Sequence, residues 1–327
     1  MSEHDDKALT PQKPARRIDA LDLARGLALF AMASYHFSWD LEQFGYLDSG
    51  ISGRGWLKLY ARLIAGSFLF LAGVSLALAH DAGLRPLAFL KRLGMIVAAA
   101  ALITIATLYA TPGSFIFFGI LHAIAAASVI GLAFLPLPGV VAIGAGLVCL
   151  ALPHFYQNGA FNTIWLYWIG LHSVPPRSND FVPLMPWLGP FLIGLGCTKL
   201  AIRFTVTERL AALYGGDGLF SRITRYCGRH SLAFYLAHQP VLLALVWAFA
   251  QVAPAQPADP VPKFVSECQA GCGIENEAGF CERFCGCVTD ELLSKGLFKG
   301  LANGTIDMTT DSRILGIAEY CTATAQP

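Results

Sequence analysis

"ARGLALFAMASYHFSWDL", residues 24–41, is the stretch on which the fold turns. Most of it is apolar enough to lie in a bilayer, yet it carries Arg25, His36 and Asp40, which hydrocarbon does not solvate. An α-helix turns about 100° per residue, so roughly eleven residues complete almost three turns. Arg25 and His36 therefore share a face, and Asp22 and Asp40 extend it at either end. An ionisable group facing lipid at mid-depth costs about 2.5–3.5 kcal/mol even on a lenient insertion scale. The aligned stripe is expected to face the interior of a helix bundle.

The rest of the chain fits that beginning. Of its 327 residues, 55% are hydrophobic and only 14% charged, with a mean hydropathy of +0.54. Soluble domains are about a quarter charged. A net charge of +1, with no basic cluster to say otherwise, argues against nucleic acid as a partner. A spanning helix needs about 20 mostly apolar residues. Candidates are 21–39, 57–79, 93–110, 115–134, 139–154, 183–201 and 231–251, with the short aromatic stretch 161–171 as an interfacial or re-entrant segment.

Lys and Arg set the orientation. Lys13, Arg16, Arg17, Arg85, Lys91, Arg92, Arg203, Arg209, Arg222, Arg225 and Arg229 collect on the side of the N-terminus, whereas the opposite loops offer little beyond Arg54 and Arg177. Under the positive-inside rule the N-terminus is cytoplasmic. An odd number of spans then places the C-terminus outside. The expectation is an all-α, polytopic transmembrane bundle of about seven spans. It comprises a cytoplasmic tail (1–20), the bundle (21–251), a Pro/Ala linker (252–262) and a periplasmic module (263–327).

That last module holds Cys268, Cys272, Cys281, Cys285, Cys287 and Cys321. Cys268 and Cys272 share one helix face, as do Cys281 and Cys285, so two helices clamped by paired disulfides are expected. A zinc site is the competing reading. An external location favours disulfides, in one of 15 connectivities.

In the stripe, Asp22–Arg25 is either an ion pair at the helix end or part of a binding site. Arg25 and His36 are roughly 16 Å apart along the axis. A long molecule with an anionic head at Arg25 and a reactive end at His36 fits that span, and an acyl thioester of coenzyme A has this shape. A neutral histidine whose tautomer is fixed by a carboxylate, here Asp40, is the usual general base.

The segments "RIDALDLARGLALFAMASYHF" (17–37), "AGSFLFLAGVSLALAH" (65–80), "FFGILHAIAAASVIGL" (117–132) and "GRHSLAFYLAHQPVL" (228–242) resemble the bacterial branch of the heparan-α-glucosaminide N-acetyltransferase catalytic-domain family. That family lies within a wider transmembrane acyltransferase superfamily. The Asp-x-x-Arg-Gly element falls on Asp22, Arg25 and Gly26, and the superfamily's basic–His spacing on Arg25 and His36. The resemblance implies a bacterial inner-membrane enzyme. It would move an acetyl group from cytoplasmic acetyl-CoA to a sugar or glycan on the far side, without a metal. Animal members carry their catalytic histidine after the first helix. Residues 40–55 here contain none, so the role falls to His36.

Other residues carry two readings each. Arg62 either pairs with Asp40 or binds substrate, or it snorkels to the interface. His122 is a second candidate base or a histidine satisfied by a neighbouring carbonyl. His238, one turn before Pro240, either takes a carbonyl freed by the proline or touches substrate. Arg177, Asn179 and Asp180 lie in a Pro-rich turn suited to sugar hydroxyls, or simply stiffened. Arg229 and His230, at a helix start, either bind CoA phosphates or contact lipid headgroups. Two rival functions remain: a transporter or flippase using the same stripe, and a non-enzymatic protein whose Cys-rich module is the working part.

Overall fold

The computed structural model describes residues 19–48, 50–206, 218–255, 260–273, 276–302, 305–308 and 310–326. The expected tail up to residue 18, with Lys13, Arg16 and Arg17, and also Arg209, lie outside these residues. Among the described residues there are helices and 3₁₀ turns but no strand. The chain forms two compact units: one runs to Asp40 and resumes at Ser52–Val246, and the other comprises Leu41–Ile51 with Trp247–Pro327.

The first unit contains most of α1 (Asp19–Gln43), then α2 (Gly55–Ala79), α3 (Pro86–Ala110), α4 (Ile120–Leu132), α5 (Gly139–Phe155), α6 (Leu184–Arg203), α7 (Leu219–Arg229) and most of α8 (Ser231–Val252). Four of these, α2, α3, α6 and α8, are long and apolar enough to cross a membrane. At 25 residues α1 has the length, but its charged stripe lowers its hydropathy below theirs. The segment 115–134, expected to be one span, forms a helix of only 13 residues, about 20 Å at 1.5 Å per residue. Residues 115–119 instead run as a loop into Gly119, the N-cap of α4. The aromatic stretch 161–171 ends a 3₁₀ turn at Phe161 and contains another at Tyr167–Ile169, with Trp165 exposed.

Helix α6 is the centre of the unit. It packs on α2 and α5, and Leu69, Leu76, Ala142, Phe191, Leu192 and Leu195 are buried together around it. Small residues allow this closeness. A Cβ added at Gly196 would lie 2.5 Å from the Gly139 carbonyl oxygen, and one at Gly194 would lie 2.2 Å from that of Phe70. By contrast α3 and α8 bury only 11% of their apolar windows. Leu87, Leu90, Leu102, Leu245 and Phe249 stand exposed on them. In water so much apolar surface would be a liability; against lipid it is at home.

Helix α7 is amphipathic. Leu219, Phe220, Ile223 and Tyr226 are exposed on it, whereas Thr224, Arg225 and Gly228 are buried. Its buried face docks on the start of α1 backbone to backbone: Gly26 abuts the Thr224 carbonyl and Gly228 abuts the Asp22 carbonyl.

In the second unit, α9 (Pro260–Cys272) and α10 (Ala278–Ser294) are clamped by Cys268–Cys285 and Cys272–Cys281. Cys287–Cys321 ties α10 to α12 (Ser312–Ala325), beyond the short α11 (Phe298–Ala302). The expected pattern of two helices with paired bridges is what forms. It leaves no thiolate among the six for the zinc reading. Val288, Leu292, Phe298, Ile314 and Ile317 fill the small core beside the bridges.

Candidate active site

The polar stripe of α1 turns inward. Asp22 is 2% exposed and Asp40 is fully buried, with Arg25 and His36 half-buried between them. Spacing of three to four residues forces all four onto one face.

At its N-terminal end the stripe meets α2 and α7. Arg25 donates to the Ser75 hydroxyl and lies 3.4 Å from the Asp22 carboxylate. Asp22 also accepts from Arg229 Nε at 3.3 Å, and Arg229 reaches Asp19 at 3.2 Å. Arg225 adds a 3.7 Å contact to Asp19. Two carboxylates from the first turn of α1 thus face three guanidiniums, and Gly26 and Gly228 allow the backbones close enough for the charges to meet.

The other end meets α8. Asp40 accepts a 2.7 Å hydrogen bond from Gln239, and its second carboxylate oxygen, like the Gln239 carbonyl oxygen, is buried with no hydrogen-bond partner among the described residues. One turn back, the His36 ring stands 4.9 Å from that of His238, centroid to centroid. His238 Nδ1 donates to the Tyr235 carbonyl at 2.6 Å. The tautomer follows: Nε2 carries the lone pair, and it is buried and unpartnered. That is the configuration of a general base. Asp40 is thus held by Gln239, and the ring neighbour of His36 is a second imidazole.

Between the two ends the same face of α1 carries Leu29 and Met32, both buried and packed against Ile64. On this face of α1, apolar side chains therefore lie between Arg25 and His36.

Residues 17–240 match the family described as heparan-alpha-glucosaminide N-acetyltransferase, catalytic. The chain belongs to that family. The matched stretch takes in every polar group of both clusters and ends at Pro240, before the cysteine-rich unit. Membership in this N-acetyltransferase family places the chain among membrane acetyltransferases. No curated protein and no solved structure matches it.

The other expected site residues have their own local surroundings. His122 Nδ1 accepts from the Gly119 backbone at 3.3 Å, so its Nε2 donates to Thr104 Oγ1 at 3.2 Å, and Thr104 in turn donates to the Ile116 carbonyl. Both nitrogens of His122 are thus engaged, at the start of α4. Asp180 accepts from the Ile120 backbone at 2.9 Å, which caps α4 across the loop. Burial raises its carboxyl to about 6, against the lowering effect of that hydrogen bond. Asn179 donates to Thr111. Arg177 and Arg62 are exposed, and Arg62 does not reach Asp40, whose partner is Gln239. His230 donates to the Tyr226 carbonyl, and Arg229 is held by Asp19 and Asp22.

Sequence reasoning missed Gln239 and Ser75. A glutamine inside an apolar helix is itself a signal that the helix faces something polar. A serine carries no such signal, because it satisfies itself by bonding back to its own helix.

Proposed function

We propose that the protein transfers an acetyl group from cytoplasmic acetyl-CoA to an amine or hydroxyl of a sugar at the outer side of a bacterial inner membrane. The bundle would span it seven times, with the N-terminus inside and the Cys-rich unit outside. What carries this reading is the pair of imidazoles, His36 and His238, beside a buried carboxylate with an unpartnered oxygen, in a chain of an acetyltransferase family.

In this mechanism the acceptor sits between the imidazoles and Asp40. Its N–H or O–H donors meet the free oxygens of Asp40 and Gln239. An imidazole lone pair, at His238 Nε2 or on the adjacent His36, takes the proton as the acceptor attacks the thioester carbonyl. The C–S bond breaks, and the CoA thiolate takes the proton back from the imidazolium. Arg25 holds the anionic part of the donor at the inner end. Donor and acceptor meet only when Leu29 and Met32 give way.

Purified full-length protein, labelled acetyl-CoA and glucosamine provide the test. His36→Ala and His238→Ala should each lower kcat by about 10²–10⁴, the usual worth of a general base, while melting like the wild type. Full turnover in both variants refutes the assignment.

A further inference from the structure

A cavity of about 230 Å³ lies away from both clusters, where α2 and α3 diverge after the turn 80–85. Packing of α3 falls on α4, not on α2, which leaves a wedge with Ser128 of α4 in its lining. Leu76 of α2 and Phe89 of α3 give the wedge apolar walls. Its cationic groups are Arg85 and Arg92, with the His80 ring beside them. Arg85 and Arg92, seven residues apart, sit on one face of the chain entering α3. Neither guanidinium meets a carboxylate among the described residues. His80 donates from Nδ1 to the Leu76 carbonyl at 2.9 Å, and its Nε2 is buried without a hydrogen-bond partner.

Position adds to chemistry. Ser75, the partner of Arg25, is one residue before Leu76 on α2, so the cavity and the inner end of the α1 stripe occupy adjacent faces of one helix. Two uncompensated guanidiniums converging on an apolar wedge call for an anion that brings a greasy chain with it. Arginine prefers phosphate, which it grips with two parallel hydrogen bonds. The volume is below that of a whole drug-sized site, about 300–1,000 Å³. It suits a headgroup and the first atoms of a chain.

We propose that this cavity is a binding site for the phosphate end of an amphiphilic molecule, with Arg85 and Arg92 as its ligands and His80 beside them. Two molecules share that chemistry: the nucleotide end of coenzyme A, which rests on the function proposed above, and an anionic phospholipid headgroup, which does not.

The experiment compares the wild type with Arg85→Gln/Arg92→Gln and with Ala88→Trp, which fills the wedge and leaves its charges alone. Each full-length protein is placed in phosphatidylcholine nanodiscs. CoA affinity is measured by calorimetry, and phosphatidylglycerol retained from the host membrane is quantified by mass spectrometry. A rise in the CoA dissociation constant of about tenfold or more in both variants, the effect of losing charge-assisted hydrogen bonds, assigns the site to the acyl donor. Unchanged CoA affinity with loss of retained phosphatidylglycerol assigns it to a lipid headgroup. Wild-type levels of both in both variants overturn the proposal. A wild type that binds no CoA yet loses lipid in the variants refutes the acetyl-CoA reading and leaves the cavity standing.

Discussion

A methyl group added at Gly228 should be among the most damaging changes available to the bundle. An ideal Cβ there would lie 1.8 Å from the Asp22 carbonyl oxygen, and ordinary contact begins near 3.4 Å. Helix α7 would have to back away from α1 by about 1.6 Å. Both contacting groups are backbone, so no side chain can swing aside. The Arg229–Asp22 separation, now 3.3 Å, would open beyond hydrogen-bonding range. Overpacking of this kind costs about 1–3 kcal/mol, and losing the ion pair adds to it. The same substitution at Gly94 in α3 or Gly144 in α5 meets nothing within 4 Å. There, removing a helical glycine should be neutral or stabilising, by up to about 1 kcal/mol. Thermal unfolding of the purified full-length variants in one detergent reads both signs. Gly228→Ala should melt several degrees below the wild type, and Gly94→Ala at or above it. A Gly228→Ala protein that melts with the wild type would refute the claim that α1 and α7 touch through their backbones.

Two more tests reach the loops and the second unit. Asp180 lies outside the spanning helices, and its carboxyl sits near 6 in the folded chain against about 4 when unfolded. The folded state therefore holds the proton more tightly. The stability this contributes is complete below about pH 4 and is lost as pH rises through 6. Asp180→Asn keeps the acceptor for the Ile120 amide, so its melting temperature should fall less between pH 4 and 7; an equal fall in both proteins would remove Asp180 as the cause. In the other unit, Cys287 and Cys321 are 34 residues apart, and a loop of that size is worth about 4 kcal/mol of chain entropy. Cys287→Ala/Cys321→Ala should speed proteolysis within residues 260–326 of the full-length protein by a large factor, and an unchanged cleavage rate would count against a structural role for that bridge.

How much of this was legible beforehand differs from element to element. The stripe on α1 was, because four ionisable residues at helical spacing in apolar sequence admit one arrangement of low cost. So was the clamp of α9 on α10, since each helix presents cysteines four apart. The partners were not. Gln239 meets Asp40 and His238 meets His36 only once α8 lies beside α1, a pairing between residues about 200 positions apart that no local pattern encodes. The start of α4 was misplaced because 115–119 are apolar and periodicity cannot see a loop held by Asp180 from elsewhere in the chain. Arg62 was expected near Asp40 from its place in the second span, and Arg177 from its Pro-rich turn; both are exposed, and neither signal names a partner.

The closed interval at Leu29 and Met32 bears on more than the route of an acetyl group. A membrane enzyme with a permanent bore from one compartment to the other would short-circuit the ion gradients of its own cell. On the topology proposed above, two greasy side chains seated against Ile64 would be a seal of the right kind, because a hydrated cation cannot shed its shell to pass them. On the function proposed above, turnover would have to breach that barrier no wider and no longer than a thioester requires, and replacing Met32 with a small residue would show up first as leak, not as lost catalysis.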